Sequence, residues 1–259
     1  PIMQRTVFER SVVDGFRVSR VESLVCSNQG KKIFAATADG AITAYSLSME
    51  SNSAGRIYTC KDPDMFRKPS KDKKSVAPLV VAESWRVVLC IADGVLTSYD
   101  TQFHTLRHAM NDNKGISLFS IYAQVGSDSV VTVNKKKLSW YAFKSDVGFI
   151  LQREFNLSDT PKSLHYITAH IAIVGYKKYY EVWDVLSGSC HRLLDIEKEH
   201  KNTVVTLPLP PPNTSITTPP SAFSPFLFLF TVGSNGIILD LDQITAGHPI
   251  TNPTATQPT

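Results

Sequence analysis

The sequence has few cysteines, no apolar run long enough to cross a bilayer, and only a small excess of one charge. Its four cysteines, Cys26, Cys60, Cys90 and Cys190, stand far apart with no CxxC or similar spacing. A zinc site needs clustered ligands, so reduced, buried thiols are expected, above all for Cys26 and Cys90, which sit inside apolar runs. The run Phe226–Phe230 is far short of a spanning helix. No start methionine, basic leader or small-residue cleavage site opens the chain, so no secretory signal is visible and the start at Pro1 reads as that of a fragment. Twenty-seven Lys and Arg against 23 Asp and Glu give a net charge of +4, which alone names no partner. A hydrophobic content of 42% with 19% charged residues is too apolar for a disordered chain.

Enzyme motifs are missing too. There is no GxxxxGK[ST] phosphate loop, no GxGxxG leading from a strand into a helix, no HExxH and no GxSxG. His104 and His108, in HTLRH, share a face if they lie on an outer strand, but no third metal ligand is near them. The reading is therefore a non-enzymatic chain with no catalytic residue, cofactor or metal. A propeller-type enzyme would need carboxylates, arginines or histidines gathered in one funnel.

What is present is a repeat. Five segments share an apolar run, a tight turn and an alternating run: KIFAATADGAITAYSL (32–47), RVVLCIADGVLTSYD (86–100), SVVTVNKKKLSWYAF (129–143), HIAIVGYKKYYEVWDV (170–185) and FLFLFTVGSNGIILDLD (226–242). Their Val, Ile, Tyr and Phe content and period-two alternation mark strands. Asp39-Gly40, Asp93-Gly94 and Asn235-Gly236 favour the positive φ of hairpin turns. The turns near 39, 93, 135, 176 and 235 are 54, 42, 41 and 59 residues apart. Two of these spacings match a four-stranded propeller blade, and a β-sandwich would turn more often.

The fold class read from this is all-β, a β-propeller with about five blades visible in residues 1–259. Insertions are expected at 48–75, polar and lysine-rich, and at 208–225, proline-rich, with a disordered tail at 251–259. Both insertions lack a periodic apolar pattern. In the third and fourth blades the strands are expected near 138–144, 149–157, 162–167, 171–176, 179–185 and 190–196. Residues 7–14 are expected to form a lone outer strand that closes the ring onto a last blade. Tyr99-Asp100 and Trp183-Asp184 end their strands as the Trp-Asp pair does in WD repeats.

The stretches KGISLF (114–119), VTVNKKKLSWYAFK (131–144), DTPKSLHY (159–166), IAIVGYKKYYEVWDVLSGS (171–189) and HRLLDI (191–196) resemble the citron-homology (CNH) propeller. Within it they are most similar to the vacuolar protein sorting-associated protein 39 family, a subunit of the HOPS tethering complex. The resemblance implies a seven-bladed propeller at the head of an α-solenoid. It also implies a cytoplasmic location, peripheral on late endosome, lysosome or vacuole membranes. The implied partners are HOPS-type tethering subunits and a late-endosomal Rab GTPase, or a Rag-type GTPase in nutrient signalling.

In a propeller the B–C turns and D–A loops emerge on one face. That face receives residues 61–74, Lys114, Lys135, Lys136, Lys137, Lys162, Lys177, Lys178 and the EKEHK segment at 197–201. The candidate interaction patch is Lys135, Lys136, Lys137, Lys177 and Lys178, joined by Lys71, Lys73 and Lys74. An acidic partner is its expected ligand, with peripheral contact to anionic membrane as a second reading. Nucleic acid is not expected, because no aromatic residues interleave these lysines.

Overall fold

The computed structural model describes residues 12–14, 20–27, 31–52, 55–66, 76–124, 127–195, 204–208, 226–232, 235–240 and 244–245. The chain divides into two compact units, residues 1–116 and 117–259. Every described element is a strand apart from one helical turn at 244–245. None of the described helical structure is long and apolar enough to cross a membrane.

Unit 1 begins with β1 (Val12–Asp14), β2 (Val21–Cys26), β3 (Lys32–Thr37), β4 (Ile42–Asn52) and β5 (Gly55–Met65), which form one sheet in the order β1-β5-β4-β3-β2. A second sheet takes β6 (Leu79–Ala82), β7 (Val87–Ala92), β8 (Val95–Asp100) and β9 (Leu106–Ala109) in chain order. Phe34, Ile42 and Phe66 of the first sheet and its flank pack with Val76, Leu79, Val88, Cys90 and Tyr99. The β7–β8 hairpin closes as its sequence demands. Asp93 and Gly94 both take positive φ, 52° and 74°, the conformation a two-residue hairpin turn requires. Gly94 is also held there by space, since a Cβ would stand 3.1 Å from Gly115 N.

Unit 2 holds three sheets. β10 (Ile116–Gln124), β11 (Ser127–Asn134), β12 (Lys137–Lys144) and β13 (Gly148–Asn156) form the first. The second is β14 (Ser163–Tyr166), β15 (Ile171–Gly175), β16 (Tyr179–Asp184) and β17 (Cys190–Asp195). The third is β18 (Val204–Pro208), β19 (Phe226–Val232) and β20 (Asn235–Asp240). Alternation along the strands of the middle sheet divides its side chains between two cores. Ala172, Val174, Tyr176 and Trp183 pack toward Val131, Val133 and Leu138. Ile173, Tyr180, Val182 and Leu194 pack toward Phe228, Phe230 and Leu239.

The six strands expected in the third and fourth blades appear within one to two residues of their expected ends. Four other expectations are corrected. Residues 48–52 and 55–65, expected as part of an irregular insertion, are strand. They extend the β4–β5 hairpin, whose ladder runs from Thr43↔Met65 to Asn52↔Gly55. The polar Ser, Asn and Thr residues there hide the strand, because a hairpin arm needs no apolar face to form a ladder. The N-terminal strand does not pair with a last blade: Val12, Val13 and Asp14 pair in parallel with Ile57, Tyr58 and Thr59 of the first sheet. Asn235 and Gly236 are not a turn but ladder residues opposite Val232 and Thr231. Cys26 and Cys190 are exposed rather than buried, since β2 and β17 are edge strands of their sheets. Cys90 is buried, and burial pushes its thiol up to about 12. Residues 67–75, 209–225 and 251–259 lie outside the described residues.

Candidate interaction surface

Two lysine turns of unit 2 stand on either side of one connecting segment, residues 157–162. Lys135 and Lys136 form the turn between β11 and β12, closed by the pair Asn134↔Lys137. Lys135 takes a left-handed φ of 54°. A non-glycine residue there costs roughly 1–2 kcal/mol, and Asn or Gly would fit with less strain. Lys177 and Lys178 lie in the turn between β15 and β16, closed by Tyr176 N donating to Tyr179 O at 2.8 Å. All five lysines are exposed.

The 157–162 segment links the turns chemically. Lys136 Nζ donates to Ser158 O at 3.3 Å and lies 3.7 Å from Asp159 Oδ1. The Ser158 hydroxyl meets the Tyr179 hydroxyl at 2.9 Å and Glu181 Oε1 at 3.4 Å. Lys162 N donates to Gly175 O at 2.7 Å, so Lys162 sits at the end of its sheet that carries the 177–178 turn. Leu157 and Pro161 are buried, and together they pin the segment between the two sheets.

Glu181 is the hub beneath this surface. Its Oε2 accepts from Tyr176 Oη at 2.8 Å and from Trp183 Nε1 at 3.1 Å. Burial first, and then the adjacent carboxylate, drive the Tyr176 phenol far above its ordinary range, so it remains a donor. Tyr179 stacks at 4.7 Å on Tyr176, and the Arg192 guanidinium lies 4.4 Å from the Tyr179 ring centroid. Arg192 also pairs with Asp195.

The patch read from the sequence is thus only partly free charge. Lys137 Nζ is 3.1 Å from Glu154 Oε2, and Lys136 has Asp159. Lys135, Lys162 and Lys178 have no ion pair among the described residues. Lys71, Lys73 and Lys74 lie outside the described residues, so nothing places them beside this surface.

Sequence reasoning missed Glu154, Glu181, Tyr179 and Arg192 because cross-strand partners depend on ladder register, which two bulges shift here. Between Trp140 and Tyr141 the β12–β13 register shifts by one residue, which brings Glu154 opposite Ser139 and onto the face of Lys137. A regular ladder would set Glu154 opposite Leu138, on the other face of the sheet. A similar shift between Tyr180 and Glu181 sets Leu194 opposite Tyr180 and Asp195 opposite Tyr179, whereas Arg192 faces Glu181 in the register that the β16–β17 turn itself fixes.

The Asp residues of the WD-like pairs have a structural task. Asp184 Oδ1 accepts from Leu186 N at 2.9 Å and Ser187 N at 3.2 Å, and its Oδ2 accepts from the Ser187 hydroxyl. Burial alone would raise the Asp184 carboxyl, but these hydrogen bonds outweigh it and hold it below the usual carboxylate range. Asp100 does the same for the 101–104 turn, accepting from Gln102 N and Phe103 N, with Arg107 Nη2 at 2.5 Å.

Unit 1 contains a polar cavity of about 520 Å³ lined by Lys32, Tyr45, Ser46, Asp64, Gln102 and His104. His104 was expected on an outer strand, sharing a face with His108. It lies instead in the turn before β9, with φ 54°, and is only 7% exposed. Its Nδ1 meets Asp64 Oδ2 at 2.7 Å and its ring stacks on Phe66 at 4.8 Å. Asp100 holds this turn, and the positive φ rotates His104 off the strand. Among the described residues no three His, Cys, Asp or Glu converge on a metal position.

Successive, mainly antiparallel sheets, three of them of four strands, each packed against the next within its unit, define a propeller of WD40-like class. The CNH domain family matches residues 29–224, and the chain belongs to that family. CNH domains are typically non-catalytic interaction modules. The AfRom2 CNH domain superposes with a TM-score of 0.58 at 16% identity, over 85% of this chain and 68% of that one. The WD40 propeller domain of Doa1 gives 0.52 at 12% identity, over 84% and 66%. U3-55K gives 0.51 at 12% identity over 67% of this chain, which spans 51% of that structure. No curated protein matches the sequence significantly.

Proposed function

We propose that this chain is the interaction propeller of a HOPS-type vesicle-tethering subunit, working in fusion of late endosomes with lysosomes or the vacuole. It acts without catalysis, cytoplasmic and peripheral to those membranes, and docks a small GTPase or a partner subunit. The observation that supports this most is a coincidence of motif and surface. The KKKL and VGYKKYY elements that carry the family resemblance are the same two turns that flank the 157–162 segment in unit 2. Residues kept for folding would not need lysine there, since exposed turn lysines add little to a core.

A role as a scaffold for Rag-type GTPases in nutrient signalling is the competing assignment. Recovery from cytosol separates the two. With the chain as bait, HOPS core subunits are expected in the eluate, and recovery of Rag-type GTPases alone would favour signalling. Reversing Lys136, Lys137, Lys177 and Lys178 to glutamate is expected to abolish that recovery. Folding should be nearly unaffected, because exposed substitutions usually cost within about 0.5 kcal/mol each. A folded reversal variant that recovers its partners undiminished at physiological salt would remove these turns from the docking role.

A further inference from the structure

We infer that recognition at this surface is carried by Lys135, Lys162 and Lys178, and that they bind an acidic segment of a partner protein rather than an anionic bilayer. The inference rests on the docking role proposed above and says which charges perform it. Lys136 and Lys137 already have carboxylates at 3.7 and 3.1 Å, so a ligand must displace Asp159 or Glu154 to reach them. Lys135, Lys162 and Lys178 are exposed, with no such partner among the described residues. Approach of an acid to these three gains attraction without breaking an existing pair.

Lys135 carries a second sign. It occupies a left-handed position in a two-residue turn, where a lysine is more strained than an asparagine. Strain retained at an exposed residue points from the observed outlier to a use for its charge.

The surroundings select protein over membrane. Glu154, Asp159 and Asp195 are interspersed among the cations, and a continuous sheet of anionic headgroups would be set against all of them. A folded partner can place its acids over the three lysines and avoid these carboxylates. The large exposed apolar residues described in unit 2, Val147, Leu151, Leu186 and Ile238, lie outside both lysine turns and the 157–162 segment, so no apolar anchor accompanies the charge. Between the lysines lies the Tyr179–Arg192 stack, of residue types enriched at the centres of protein interfaces.

The test uses the 259-residue chain, a fluorescein-labelled peptide of glutamate and serine, and phosphatidylcholine vesicles with and without phosphatidylserine. Lys135→Asn, Lys162→Gln and Lys178→Gln are each expected to weaken peptide binding roughly 2–5-fold, and the triple variant to remove it. Lys144→Gln, at the far end of β12, should bind like the parent. The Lys136→Gln, Lys137→Gln pair should lose less than any two of the three. Lys135→Asn should melt no lower than the parent, and Lys162→Gln with Lys178→Gln test the idea independently of it. No peptide binding by the parent overturns the inference. So does stronger binding to phosphatidylserine vesicles than to the peptide, or an equal loss in the Lys136, Lys137 pair. Peptide binding without recovery of HOPS subunits would discard the tethering assignment alone. Recovery of those subunits without peptide binding would discard only the acidic-segment assignment.

Discussion

Asp184 shows how a residue that looks like a family signature can be a turn-closing device. Two backbone amides and one hydroxyl converge on its carboxylate, and the ionised form accepts them best. Because the folded state holds this carboxyl below the usual carboxylate range, its contribution is fully present above the ordinary value of about 4 and is lost as pH falls through the depressed value. Asp100, also held low in the folded state, adds to the same loss. Asp184→Asn keeps an oxygen acceptor for the amides but removes the charge. Urea midpoints measured from about pH 6 down to about pH 3 should therefore fall less steeply for Asp184→Asn than for the parent. Identical slopes would show that this carboxylate contributes nothing to acid sensitivity.

At the scale of strands and turns, much of the molecule was legible because local chemistry and tertiary structure agree. Asp93-Gly94 asks for two positive φ angles and takes them. The alternating runs of the third and fourth blades became β12 to β17 almost at the expected bounds. Legibility failed where one extra residue changes facing. The bulges that place Glu154 and Asp195 leave no mark in a pattern of apolar and polar residues, because either register keeps a plausible alternation until neighbouring sheets are packed. The β4–β5 arm failed for a different reason, since its ladder is polar. Gly175, at the end of β15, marks a close approach of another kind. A Cβ there would run into Ser163 Oγ and stand 2.9 Å from Tyr180 Cε1. Tyr180 is fully buried, so it has little room to yield. Gly175→Ala should lower unfolding stability by on the order of 1–3 kcal/mol in urea titration, and an unchanged midpoint would mean that β14 and β15 separate more easily than their packing implies.

At the scale of the whole molecule, the sheets of unit 2 are joined in series rather than around one common core. The β14–β17 sheet presents Ala172, Val174 and Tyr176 to one neighbour and Ile173, Tyr180 and Leu194 to the other. Each blade buries an apolar face only because a second blade covers it, the arrangement expected of stacked repeat units. The propeller class follows from this level, whereas the docking assignment depends on a few turn residues that the fold carries but does not require. The shared wall also has a kinetic meaning. A backbone amide exchanges its hydrogen with solvent only when its strand opens, and β15 cannot open without exposing two hydrophobic layers at once. In deuterated water the amides of Ala172, Ile173 and Val174 should therefore be among the last in unit 2 to exchange, with protection falling toward the outer strands β13 and β17. Early loss of protection in β15 would mean that the middle sheet is the weak link of the series, and that unit 2 comes apart from its centre.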